Sequence, residues 1–224
     1  MKSTNSSKSS ADVLNHVEQN TAPSVEETGR RGTVRASAMQ HPLVERARQF
    51  ASDAHGRHEQ VRRYTNEDYI VHPQAVAERV AEFLPEPEVL AAAWLHDVVE
   101  DTDVDLDEIR QLFGDEVALL VEQLTSGPHS DDLERAERKL LDRMQLQQAD
   151  KRAKTIKLAD IIDNTNTIAE RDPEFAALYL PEKYAMLQVL KQGRPELFAL
   201  ARQIIEEGLQ QLDQLSQKPP YEDG

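Results

Sequence analysis

Val89-Leu90-Ala91-Ala92-Ala93-Trp94-Leu95 is apolar on every side, and the chain runs straight on into His96-Asp97-Val98-Val99-Glu100-Asp101-Thr102. A helix without a polar face belongs in the middle of a bundle, so Val89 to about Glu100 is predicted as a buried central helix. The ionisable groups at its end are then the anomaly. Without partners each buried charge costs several kcal/mol, so His96 and Asp97 require a compensating cation or solvent. On a helix His96 and Glu100 are four apart, as are Asp97 and Asp101, which gathers all of them on adjoining faces near one end. For Glu100 and Asp101 alone, a solvated helix terminus explains as much. For His96-Asp97, directly after Trp94-Leu95, it explains less.

Helical spacing extends in both directions from this segment. Upstream, Pro42 opens Leu43 to Ala54, Arg57 to Asp68 reads as a polar loop, and Gln74 to Phe83 resumes a helical period. Tyr69-Ile70-Val71 suits an extended run, and Pro73 disfavours helix at His72. Downstream, Asp103 or Asp105 caps Leu106 to Phe113, which Gly114 ends, and Val117 to Leu124 supplies another apolar face. Asp131 to Gln148 is a long charged helix and Arg152 to Glu170 a more apolar one. A short helix after Asp172-Pro173, one opened by Pro181 and a last from Pro195 to about Leu215 complete an all-α bundle of about eight to ten helices. Residues 1–40 are too polar to bury a core and are predicted as a disordered tail. The domain is expected over 41–215, with 216–224 a frayed end.

The 224 residues include 41 acidic and 26 basic side chains, a net charge of −15. Such a surface repels a nucleic-acid backbone, yet a metal and a few basic residues gathered at one point can still bind a small anion. There is no cysteine, which excludes disulfides, thiolate ligands and a cysteine nucleophile. No run approaches a membrane span or a signal peptide, so a cytoplasmic protein without a membrane partner is expected. The apolar residues of the last helix serve equally for packing on the domain or on a second copy, leaving a homo-oligomer open.

Two further positions join His96 and Asp97. Asp160 is a carboxylate inside Ile156-Lys157-Leu158-Ala159-Asp160-Ile161-Ile162, with Lys157 one turn before it and Asn164 one turn after, and Thr167 continuing the line. Alone, it would be an ordinary ion pair with Lys157. His72 follows an apolar run, and alone it would be a satisfied core histidine. Together, two imidazoles and two carboxylates with no thiolate suit Mn²⁺ or Fe²⁺, with Zn²⁺ also admissible.

Three motifs carry a resemblance. Tyr-Ile-Val-His-Pro ending at Pro73, Trp-Leu-His-Asp-Val-Val-Glu-Asp-Thr ending at Thr102, and Ile-Lys-Leu-Ala-Asp with Asn164 occur in this order and spacing in the hydrolase domain of RelA/SpoT proteins. They resemble equally the stand-alone small alarmone hydrolases of the HD-domain type. The resemblance implies a helical HD-domain bundle that removes the 3′-pyrophosphate of (p)ppGpp or (p)ppApp with Mn²⁺, releasing pyrophosphate. It implies His72, His96, Asp97 and Asp160 as metal ligands, and Glu100 and Asp101 as the residues that orient and deprotonate water. Arg63, with Arg62 competing, would lie near the nucleotide base; Lys157, Asn164 and Thr167 would line the nucleotide pocket. With no room for a synthetase domain, the chain is expected only to hydrolyse.

The sequence departs from the family after the last aspartate. RelA/SpoT proteins usually read Arg-Leu-His-Asn-Met-Arg-Thr there; this chain reads Ile161-Ile162-Asp163-Asn164-Thr165-Asn166-Thr167, and the basic pair of the substrate loop becomes Arg63-Tyr64. These changes are expected to alter the surroundings of the base and ribose rather than the metal, leaving guanine and adenine both open. Lys151, Arg152 and Lys154 are candidates for neutralising the departing pyrophosphate, with a solvated face as good an account of each. Other HD phosphohydrolases acting on nucleotides or NADPH share the metal set, and a non-catalytic alarmone-binding protein is the remaining alternative.

Overall fold

The computed structural model of the chain describes residues 25–127 and 132–217, and among the described residues it is all-α. Helix α1 spans Val25–Met39, α2 Pro42–Arg57, α3 Val71–Val80 and α4 Pro87–Leu95, and α5 is the single turn Val98–Asp101. There follow α6 (Leu106–Phe113), α7 (Asp115–Leu124), α8 (Arg135–Gln148), α9 (Lys151–Thr165), the single turn α10 (Ile168–Arg171), α11 (Pro173–Leu187) and α12 (Pro195–Ser216). The loop after α2 contains an isolated antiparallel bridge between Val61 and Asp68. Among the described residues no helix is long and apolar enough to cross a membrane.

Local chemistry sets many of the boundaries. Proline occupies the start of α2, α4, α11 and α12, where its missing N–H costs no helical bond. Of the two candidate caps for α6 it is Asp105 that accepts from the Glu108 N–H, at 2.8 Å. Gly114, at φ +90°, makes the turn from α6 into α7, a conformation that side chains with a Cβ rarely adopt.

The central helix is α4, in which every residue from Val89 to Leu95 is buried. It packs against α2, α3, α7 and α9; α9 in turn packs on α3 and α12. Each large aliphatic side chain enclosed here, such as Leu90 or Leu95, stabilises the fold by about 1.5–3 kcal/mol. The result is a core that holds α3 and α4 against α9.

Five expectations need correction. The expected tail, residues 1–40, lies in part outside the described residues, but Val25–Met39 is helical, because Ala38 and Met39 give its end an apolar contact with the core. His72 is helical despite Pro73: both lie in the first turn of α3, whose N–H groups have no intrahelical partners to lose. The predicted Val89–Glu100 helix breaks at His96-Asp97, where the His96 ring donates through Nδ1 to the Ala93 carbonyl at 2.8 Å. That carbonyl is the acceptor an unbroken helix would give to the Asp97 N–H. Arg152 to Glu170 likewise divides into α9 and α10. Conversely, Pro181 lies inside the continuous α11, whose buried Ala176, Leu180, Met186 and Leu187 keep the two halves in line.

Candidate metal centre

The break between α4 and α5 brings His96 and Asp97 beside His72 from α3 and Asp160 from the middle of α9. All four are at most 9% exposed. His72 Nε2 lies 3.4 Å from Asp97 Oδ2 and 3.3 Å from Asp160 Oδ1, while His96 Nε2 lies 3.2 Å from Asp97 Oδ2 and 3.9 Å from Asp160 Oδ1. Both Nε2 atoms are buried without a hydrogen-bond partner. His72, His96 and Asp97 each offer a ligand atom within 4.8 Å of the others.

The opposite ring nitrogens are committed. His96 Nδ1 donates to the Ala93 carbonyl and His72 Nδ1 to Asp163 Oδ2, the latter at 2.6 Å. Each ring therefore turns its Nε2 toward the carboxylates. Two lone pairs facing two carboxylates repel unless a proton or a cation lies between them, and this donor set fits a divalent metal. Without one, protons take that role. Burial disfavours charge on His72, but Asp160, Asp163 and Asp97 outweigh it and hold its pKa well above the usual value. Burial likewise opposes ionisation of Asp97 and Asp160, yet His96 and His72 draw Asp97 below the carboxylate range, and Lys157 and His72 do so for Asp160.

Further side chains hold these four candidate ligands in place. The Tyr69 hydroxyl donates to Asp97 at 2.6 Å, the Asn164 amide to Asp160 at 2.6 Å, and Lys157 Nζ stands 2.8 Å from Asp160 Oδ2. Asp163, expected to alter the surroundings of the base and ribose rather than the metal, instead orients a candidate ligand: it receives the His72 proton on one side and Arg62 Nη1, at 2.8 Å, on the other. Second-layer partners of this kind typically contribute about 10- to 100-fold to metal affinity, so Asp163→Ala is expected to weaken binding of a divalent metal by that factor. Calorimetric titration of the metal-free protein measures it; an unchanged affinity would show that His72 needs no such anchor.

Glu100 and Asp101 follow on α5. The Glu100 carboxylate accepts from the Ser126 N–H, and Gln60 donates to the Asp101 carbonyl at 2.5 Å. Partial burial, with Asp97 and Glu100 alongside, pushes the Asp101 carboxyl up to about 6. Gln60 is itself held by the buried ring of His55, at 2.6 Å.

Two cavities flank Asp160 along α9. Toward the helix C-terminus, a cavity of about 320 Å³ is lined by Arg62, Arg63, Tyr64, Asn164, Thr167 and Phe175 among others. Arg63 is an exposed cation here, its guanidinium 5.0 Å from the Phe175 ring centre, while Arg62 is engaged by Asp163 and Arg171, also lining the cavity, donates to the Tyr64 carbonyl. Lys157 does not line this cavity; it belongs to a second one, of about 130 Å³, toward the helix N-terminus. Lys154, a candidate for the departing pyrophosphate, is instead buried and donates to the Gln147 carbonyl and the Gln192 amide oxygen, and Arg152 pairs with Asp150 and Glu116. Sequence reasoning missed Lys139 and Lys183, which line the second cavity from α8 and α11. Neither stands in a motif.

Comparison with known proteins agrees with this geometry. A family model described as HD domain matches residues 47–185. A guanosine-3′,5′-bis(diphosphate) 3′-pyrophosphohydrolase of Aquifex aeolicus is 42% identical over 129 residues, covering 56% of this chain and 18% of that protein. The Drosophila melanogaster pyrophosphohydrolase MESH1 is 46% identical over 88 residues, 38% of this chain and 46% of that protein. A solved structure of a metazoan SpoT ortholog that hydrolyses ppGpp superposes with a TM-score of 0.67 at 28% identity, covering 74% of this chain and 95% of that one. The chain thus spans about a fifth of the Aquifex relative and under half of MESH1. With the family model covering more than half of its length, and its histidines and aspartates converging at one buried point, the chain belongs to the HD-domain family.

Proposed function

We propose that the chain hydrolyses the 3′-pyrophosphate of a nucleotide alarmone, (p)ppGpp or (p)ppApp, as a cytoplasmic enzyme. A divalent metal, Mn²⁺ in first place, would be held by His72, His96, Asp97 and Asp160. The observation that carries this reading is the pair of buried, unpartnered Nε2 atoms facing two carboxylates, with a cavity on either side along α9. The similarity to proteins named as 3′-pyrophosphohydrolases supports the choice of substrate.

When bound, the metal supplies the Lewis acidity that activates water and polarises a phosphoryl oxygen. Glu100 or Asp101 takes the water's proton. Water oxygen adds to the phosphorus joined to O3′, the P–O3′ bond breaks, the proton passes to O3′, and the products are the 3′-hydroxyl nucleotide and pyrophosphate. Arg63, Asn164 and Thr167 hold the nucleotide in the larger cavity, where the exposed guanidinium meets the 5′-phosphates or the face of the base. Arg62 acts through Asp163, and Lys157 keeps Asp160 ionised.

The test is a product assay. With Mn²⁺ the purified protein is expected to convert ppGpp or ppApp to the 5′-phosphorylated nucleotide and pyrophosphate in equal amounts. Release of orthophosphate alone, or turnover confined to NADPH or to ordinary nucleotides, would assign the chain to another HD phosphohydrolase.

A further inference from the structure

The smaller cavity is lined by Lys139 of α8, Lys157 of α9 and Lys183 of α11, together with Glu100, Asp142 and Ser126. In a protein of net charge −15, three ammonium groups from three separate helices converge on about 130 Å³. Two are neutralised locally: Lys139 donates to Asp142 at 2.9 Å and Lys157 pairs with Asp160. Among the described residues Lys183 has no carboxylate within ion-pair distance; its ammonium lies 4.6 Å from the Tyr179 ring centre. A partly buried ammonium without a carboxylate is costly, as its pKa reflects: burial, with Lys157 adding repulsion, lowers it to about 8. An anion placed between the lysines removes that cost. Glu100 lines the same cavity, so its occupant would touch the carboxylate proposed as the base.

We infer that this cavity receives the diphosphate group, and that Lys183 is the contact by which the site distinguishes a diphosphate from a single phosphate. The inference rests on the pyrophosphohydrolase reading and divides the substrate at the metal. The nucleotide lies toward Arg63 and Phe175, and the diphosphate toward Lys139 and Lys183. The product pyrophosphate then leaves from a different cavity than the nucleotide does.

Calorimetric titration of the Mn²⁺-loaded protein tests this, with inorganic pyrophosphate, orthophosphate and a nucleoside 5′-monophosphate as separate probes at one fixed free Mn²⁺ concentration. Wild type should bind pyrophosphate more tightly than orthophosphate. Lys183→Met should weaken pyrophosphate at least about tenfold and leave the nucleoside monophosphate unchanged, and Lys183→Arg should retain most of the pyrophosphate affinity. Unchanged pyrophosphate affinity in Lys183→Met overturns the inference. So does an equal loss for both probes, which would mean that the lysine only supports the fold. Because none of these titrations requires turnover, failure to hydrolyse alarmones in the product assay would count against the substrate alone.

Discussion

Asp160→Ala should leave the protein without a retained metal and without turnover. Asp160 stands 3.3 Å from one bare imidazole nitrogen and 3.9 Å from the other, and it is the cluster's only contribution from α9. With the proposed ligand set, losing it would remove one of two negative charges facing the cation, and with it the Lewis acid. Several kcal/mol of transition-state stabilisation disappear, a fall of about 10³-fold or more in kcat. The substitution also strips Lys157 of its partner, and breaking a buried pair costs about 3–5 kcal/mol of stability. Asp160→Asn preserves the shape and keeps a hydrogen-bond acceptor for Lys157, so it separates the two effects: it should fold, melt above Asp160→Ala and still fail to hold metal. Metal content after dialysis, measured beside the melting temperature, decides the matter. An Asp160→Asn protein that carried full metal and turned over normally would remove Asp160 from the ligand set.

Glu100→Gln should do the reverse, keeping the metal and losing the reaction. Glu100 is neither in the cluster of His72, His96 and Asp97 nor the fourth proposed ligand, Asp160, so metal affinity should stay within a factor of about two of wild type. Its carboxylate oxygen accepts from the Ser126 N–H, and the amide oxygen of glutamine can accept the same bond, leaving the backbone around Ser126 in place. What the substitution removes is the capacity to take a proton. General-base catalysis typically contributes about 10²–10⁴-fold, and kcat should fall by that much with KM little changed. If Glu100→Gln keeps full activity while Asp101→Asn loses it, the base is Asp101. If both keep it, neither carboxylate has that role.

The buried cluster of histidines and aspartates is legible in the sequence because physical chemistry makes it conspicuous. Ionisable residues within runs such as Ala-Ala-Ala-Trp-Leu and Ile-Ile must be explained, and few explanations exist. The helix content is legible for a related reason, since apolar spacing reports which face each segment buries. The interruption at His96 is harder to see. It depends on a side chain taking its own helix's carbonyl, and residue spacing carries no mark of that. Asp163 is visible as a departure from the family pattern, but its contact with His72, 91 positions away, follows only from how α3 crosses α9. Arg62 and Arg63 read alike as adjacent letters; Asp163 engages one and leaves the other to Phe175 and Asp172. Lys139 lies in a charged helix that reads as solvated on one side and Lys183 in a segment without a motif, whereas Lys154 lies nearer the motif and is enclosed by backbone and amide oxygens.

One turn of helix, Val98–Asp101, carries both proposed bases, and four residues are far too few to stay helical unaided. It is kept in shape from outside: by the buried Val98, by the Ser126 N–H 26 positions downstream of Glu100 and by the Gln60 amide 41 positions upstream of Asp101. Copied into an unrelated scaffold, the string His-Asp-Val-Val-Glu-Asp would keep every letter and lose its aim. Transplanting this chemistry would mean moving the clasp at Gln60 and Ser126 along with the turn they hold.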